Sequence, residues 1–394
     1  MQTALILFLL SLGLIRPLHS FVLITNLINL SLLGWLTLNI IQERTIYLLL
    51  LFLLITYIGT AAIFLNKLGP SYLQEPVNEH YAIDQAVFLK TFYLMKKGES
   101  YYEAFASAMT YDSRFESAPK DSIAWRTPTI FYFWKLIAQN GQHLKIIFLT
   151  FSTLSIACVY FLLRKFVPPQ TALLSSYLII PYFLGGLLHY SLMFVEWWGL
   201  FFFIFSVTFL YYGKRNFFIG FLIASVMTRE LFIIPATIML FLDFLRNRKI
   251  YYPITFFIIV TAFWIFHLVN VSNIIGSTIF SPQSRIHNFN SNFLVSALTF
   301  STGLYAFGYF KIGIIFPIIT ILGLVRFLYY NKKDRISAYF IFAAVFTLLL
   351  LSPFIGTTGT EKGISFYADF WGITFVPLAI IFSPIILMRN SNKI

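Results

Sequence analysis

The sequence predicts an all-α fold, a polytopic transmembrane helix bundle of about twelve membrane segments with juxtamembrane helices in a long first outer loop. Three observations carry that expectation. Of 394 residues, 59% are hydrophobic and 11% charged, with a mean hydropathy of +0.80, far from the balance of a soluble domain. Apolar stretches long enough to cross a hydrocarbon core of about 30 Å recur from end to end and leave no room for a separate soluble domain. The basic residues flank these stretches: 14 of the 28, among them Arg164, Lys214, Arg215, Arg246, Arg248 and Lys249, share short connections with only Glu43, Asp243 and Asp334. That pattern marks those connections as cytoplasmic.

The same distribution accounts for the net charge of +13. It is topology rather than a nucleic-acid footprint, so no nucleic-acid partner is expected. The single cysteine, Cys158, lies in the apolar run "TLSIACVYFLL", which excludes a disulfide framework, and no Cys/His spacing suggests zinc. Residues 1–15 are apolar without a basic leader or a small-residue cleavage site, so they read as a membrane segment rather than a removed signal.

In chain order, apolar segments fall at 3–15, 20–41 and 45–65. The outer loop 66–143 follows, and then segments at 144–163, 171–188, 190–212, 217–229, 231–245, 251–270, 312–330, 336–352 and 368–388. The stretch 217–245 has Lys214 and Arg215 before it and Arg246, Arg248 and Lys249 after it, so both ends belong on one side. A broken hairpin with Arg229 and Glu230 at its apex satisfies that charge rule. The competing reading is one crossing, with 293–310 as an extra span. Inside the outer loop, Asn78 can cap a helix through "EHYAIDQAVFLKTFYLMKK", which Gly98 stops. Ser100 and Glu103 form a capping box for "YYEAFASAM". "TPTIFYFWKLIA" leads back to the membrane. The aromatic faces of these helices point to headgroups or to the bundle.

The outer loop holds eight of the chain's 15 acidic residues. In "NEHYAIDQAVF", Asp84 follows His80 by four residues, which places both on one helix face with Glu79 less than two turns away. An aspartate under an aromatic layer is partly desolvated, a setting that suits a general base. The same residues also suit a solvated polar face. Elsewhere, Arg229 and Glu196 are ionisable groups within apolar sequence, where a charge is costly and marks function or pairing. Arg229 can bind a phosphate through its guanidinium fork or pair with Glu196 or Glu230. Glu196, in "LMFVEWWGLFF", can bind sugar hydroxyls beside Trp197 and Trp198 or pair with Arg229. Asp369 invites the same two readings.

"YAIDQAVFLKTFYLMKKGESYYEAF", followed by "WRTPTIFYFWKLI" and a further span, resembles the first outer loop of the GT-C superfamily, multi-span glycosyltransferases that use polyprenyl-phosphate sugars. The overlap covers about residues 60–165. "GISFYADFWGITFVPLAIIF" is similar to that group's late "RY…P" helix, with Phe366 where an arginine is usual before Tyr367. Gln85 follows Asp84 where the family often has Asp-Glu, and the loop has no DxD or ExD, so a divalent metal is not supported and no cofactor is required.

The resemblance implies a catalytic base at Asp84, with Glu79 as a second candidate, and inversion at the anomeric carbon. For the donor phosphate, Arg126 is similar to the family's basic position before the proline helix, Arg229 is expected from its place at membrane depth, and Arg285 and Lys362 lie on outer loops, as does His287. For sugar or acceptor, His80, Gln85, Glu196, Glu230 and Tyr101 are the expected residues. The expected partners are a polyprenyl-phosphate-linked sugar, a lipid, glycan or protein acceptor, and membrane lipids. The expected setting is a prokaryotic plasma membrane with the site on its outer face. Residues 1–41 look like a helical pair added ahead of a GT-C-like domain over 42–394. A transporter or flippase of a lipid-linked or anionic substrate is the alternative. It would use Glu196, Arg229 and Glu230 near the midplane, but the long acidic outer loop on one face favours the enzyme.

Overall fold

The computed structural model describes residues 43–67, 73–75, 84–110, 125–187, 191–276, 315–331, 334–351 and 377–387. Among them 86% are helical and none is in a strand, which agrees with the expected all-α class. Among the described residues, three helices are long and apolar enough to cross a membrane, over Thr45–Ile63, Gly141–Leu163 and Tyr251–Ile275, as expected of a membrane protein. The segments 3–15, 20–41 and 293–310, and the start of 368–388, lie outside the described residues.

The chain forms two compact units. The first comprises Met1–Ala62, Thr153–Phe183 and Asn288–Ile394. It holds most of α1 (Glu43–Lys67), the later turns of the Gly141–Leu163 helix and the short Pro169–Leu178 helix. The helices Ile315–Tyr330 and Arg335–Leu351 and a 3₁₀ turn at Ser383–Leu387 also belong to it. Gly323 is required where it stands: a Cβ there would lie 2.1 Å from the Phe382 carbonyl oxygen. Phe327 then packs edge-on against Phe382 at 5.1 Å. The apolar segment expected over 171–188 is interrupted at Ile179, because Pro181 has no N–H to give to the carbonyl of Tyr177.

The second unit, Ile63–Ser152 and Leu184–His287, carries the candidate site. Its elements are α2 (Asp84–Lys96), α3 (Tyr101–Thr110), α4 (Thr129–Ile137) and the first half of α5 (Gly141–Leu163). After the short helices α6 (Pro169–Leu178) and α7 (Ile180–Gly186) come α8 (Val195–Tyr211), α9 (Arg215–Thr228), α10 (Ile233–Asn247) and α11 (Tyr251–Ile275).

The juxtamembrane helices follow those of their sequence signals that fall on described residues; the Asn78 cap lies outside them. Gly98 stops α2 with φ +111, a left-handed conformation that glycine adopts without a Cβ penalty. The capping box starts α3: Ser100 Oγ donates to Glu103 Oε2 at 2.8 Å, and the Ser100 N–H donates to the same oxygen at 3.3 Å. The aromatic faces turn inward, settling the choice between headgroups and bundle. Phe88 of α2, Tyr101 and Phe105 of α3, and Phe131 and Trp134 of α4 are each 3% exposed or less. Their rings meet at 5–6.4 Å, each such pair adding about 0.5–1.5 kcal/mol beyond area burial. Trp134 extends this layer to Trp198 of α8 at 5.7 Å.

A second tie fixes the approach to α2. Glu75 bridges Lys97 at 2.7 Å and Lys90 at 3.2 Å. Burial pushes its carboxyl up, but the hydrogen bonds from Lys97 and Lys90 prevail and hold it below the ordinary carboxylate value.

Helices α8 and α9 pack antiparallel through small residues: Ser225 Oγ donates to the Gly199 carbonyl at 2.8 Å and Ser206 Oγ to the Phe218 carbonyl at 3.0 Å. After Thr228 the backbone extends at Arg229, with φ −145 and ψ 113, and a 3₁₀ turn at Glu230–Phe232 leads into α10. The far ends of α9 and α10 meet, with Arg215 Nε 3.4 Å from Asp243 and its guanidinium also donating to Asn247. The stretch 217–245 is therefore a broken hairpin and not one crossing. Lys214, Arg215, Arg246, Arg248 and Lys249 share one end of it. Tyr252 at the start of α11 donates to Asn216 at that same end, 3.3 Å away.

Candidate functional site

The site forms where four pieces of the second unit converge at the end of the hairpin remote from those basic residues. The segment Trp125–Pro128 is pinned to the apex by Thr127, whose hydroxyl donates to the Thr228 carbonyl at 3.1 Å. Gly199 lets the apex approach α8: a Cβ there would stand 2.9 Å from Phe232 Cε2 and 3.0 Å from Arg229 Cβ. Asp84 enters from the first turn of α2.

These placements build a cluster of alternating charges. Arg229 is 1% exposed, and its Nε lies 3.0 Å from Glu196 Oε1, itself 1% exposed. Its Nη1 also donates to Glu230, whose side chain is 40% exposed. Arg126 Nη2 stands 3.8 Å from Asp84 Oδ2, a looser pair at the edge of the cluster, with Asp84 24% exposed. The two pairs are electrostatically joined, since Asp84 acts on Arg229 and Arg126 acts on Glu230. Three carboxylates thus surround two guanidiniums. Of the two readings left open for Glu196, the pair with Arg229 is the one formed, and Arg229 takes both of the carboxylates suggested for it.

Arg126 is the more available guanidinium. Its partner is beyond hydrogen-bonding distance, its side chain is 13% exposed against 1% for Arg229, and its other contact is the Phe88 ring at 5.9 Å. Its backbone is held by Tyr101, whose hydroxyl donates to the Arg126 carbonyl. Burial raises the Tyr101 phenol well above its usual value, so it remains a neutral donor. Tyr101 positions Arg126 through that bond. Gln85 follows Asp84 in the first turn of α2 and is half-buried.

Compared with known proteins, the chain matches no protein-family model, no curated protein and no solved structure. The arrangement is therefore interpreted from its own chemistry. One carboxylate is half-open, one guanidinium has spare donors, and a fully buried ion pair braces them from behind. Such a site can accept a proton at Asp84 and hold an anion at Arg126.

Sequence reasoning missed one member. His267 in "FWIFHLVNV" is 0% exposed, and its Nδ1 is 3.1 Å from the Tyr102 hydroxyl. The Trp125 backbone faces it, and Glu230 acts on it electrostatically. Burial raises the Tyr102 phenol, which keeps it protonated beside the imidazole. The signal was present, since an ionisable residue deep in an apolar span is functional or paired by default. Glu79, His80, Arg285, His287, Lys362 and Asp369 lie outside the described residues. Among the described residues, no three His, Cys, Asp or Glu side chains gather as a metal-binding group.

Proposed function

We propose that the protein is a membrane glycosyltransferase of the GT-C type, moving a sugar from a polyprenyl-phosphate carrier to a hydroxyl acceptor. The observation that supports it best is the Asp84–Arg126 pair at 3.8 Å, set on the buried Arg229–Glu196 pair. In this reading Asp84 takes the proton of the acceptor hydroxyl while that oxygen attacks the anomeric carbon. The bond from that carbon to the phosphate oxygen breaks with its electron pair on the leaving polyprenyl phosphate, and the configuration inverts. Arg126 meets the phosphate. An arriving phosphate competes with Asp84 for Arg126. Arg229 is already engaged by two carboxylates, so it orients the cluster and contributes field rather than a free fork.

The reading includes about twelve crossings and a site on the outer face of a prokaryotic plasma membrane. Supporting the outer face, the five basic residues at positions 214, 215, 246, 248 and 249 gather at the opposite end of the hairpin from Arg229. Along α8 that separation, from Glu196 to Tyr211, is about 22 Å. Asp84→Asn is expected to lower the turnover of a radiolabelled polyprenyl-phosphate sugar at least about a hundredfold, as removal of a general base typically does. Undiminished turnover removes Asp84 from the role. Passage of labelled substrate across vesicles without bond cleavage supports a transporter instead. The position of Glu196 in the first turn of α8, at a helix end and not mid-helix, argues against that alternative.

A further inference from the structure

We infer that the second unit carries a binding site for an anionic bilayer phospholipid at its basic end, separate from the Asp84 cluster. The first observation is an apolar cleft of about 350 Å³ between α4, α8 and α9. It is lined by Phe133, Phe202, Phe217 and Phe221, runs along α9 from Asn216, and has Gly220 in its wall. With only Thr129 and Asn216 polar among the residues that line it, the void suits a hydrocarbon chain better than a sugar or peptide.

The second observation is what adjoins its Asn216 end. Asn216 follows Lys214 and Arg215 directly and accepts the hydroxyl of Tyr252 at 3.3 Å. The Tyr252 and Tyr251 rings lie 4.2 Å apart, tilted by 39°, and Lys249 Nζ lies 6.0 Å from the Tyr251 ring. A continuous path of contacts therefore leads from the cleft to the exposed cations Lys214, Arg248 and Lys249. Over residues 211–252 only Glu230, at the far end of the hairpin, and Asp243 are acidic. Asp243 is 1% exposed and occupied by Arg215 and Asn247. Among the described residues none of these three cations has an ion-pair partner, so they set positive charge beside an apolar slot and a tyrosine pair, the combination that holds a phosphodiester headgroup with its acyl chain.

The test uses the full-length protein in detergent, titrated with phosphatidylglycerol, phosphatidylcholine or soluble glycerol phosphate, with retained lipid read by native mass spectrometry. Phosphatidylglycerol is expected to remain bound at about tenfold lower concentration than phosphatidylcholine, and glycerol phosphate not at all. The triple variant Lys214→Gln, Arg248→Gln, Lys249→Gln is expected to abolish that preference. Gly220→Leu is expected to weaken both lipids. A Cβ at position 220 meets nothing within 4 Å, so this variant fills the cleft without a clash at that atom.

Equal retention of the two lipids by the wild type overturns the inference, as does tight binding of glycerol phosphate. So does displacement of phosphatidylglycerol by an equimolar polyprenyl phosphate, which would assign the cleft to the sugar donor. Asp84→Asn is expected to leave lipid retention unchanged, so this site and the proposed transferase activity can fail independently.

Discussion

At the scale of single residues, the buried Arg229 decides how the cluster behaves. A guanidinium that is 1% exposed persists only with partners, and its two differ in exposure. Glu196 is as buried as Arg229, whereas Glu230 is 40% exposed and can rehydrate. Loss of Glu196 leaves the buried Arg229 with only a half-exposed carboxylate, whereas loss of Glu230 leaves it with a fully buried one, and breaking a buried pair costs up to about 3–5 kcal/mol. Glu196→Ala is therefore expected to lower the thermal unfolding midpoint of the detergent-solubilised protein far more than Glu230→Ala. Equal effects would show that Arg229 does not depend on Glu196. Arg229 and Glu196 were legible in sequence because charge is scarce in apolar segments, and Asp84 and Arg126 because the outer loop resembles a known one. Their pairing was not, because Asp84 and Arg229 are far apart in sequence and meet only through the fold.

At the scale of elements, local chemistry explains most of what formed. The Ser100–Glu103 box satisfies donors that α3 cannot satisfy internally. Ser100→Ala is expected to cost about 1 kcal/mol and to speed amide exchange in the first turn of α3 roughly fivefold, with the rest of the unit unchanged. Protection unaltered at Tyr102 and Glu103 would mean that tertiary packing alone holds that turn. Gly199 is where one element admits another. Gly199→Val is expected to cost about 1–3 kcal/mol, since its branched side chain meets Phe232 and Arg229, and to disturb the cluster as well as the helix contact. Gly220→Val on the neighbouring helix, where nothing stands within 4 Å, is the control in a thermal melt. The 217–245 hairpin was legible from the cations at both ends. The break at Ile179 was masked by unbroken hydropathy, although Pro181 marked it.

At the scale of the whole molecule, the arrangement of charge predicts a polarity that labelling can read. In a Cys158→Ser background, a cysteine placed at position 249 is expected to react with an impermeant maleimide only after the membrane is opened, and one at position 99 in intact cells. The reverse pattern would invert the proposed orientation and put the Asp84 cluster on the cytoplasmic face. Composition and the period of apolar runs sufficed for the all-helical class and the membrane setting, since a hydrocarbon solvent tolerates few other solutions for the backbone. Helix limits followed from caps, glycines and prolines acting over three or four residues. The partners of Arg229, the inward turn of the aromatic faces and the place of His267 were decided only by tertiary structure. Each depends on desolvation, a property of surroundings that the chain creates by folding and that no local stretch contains.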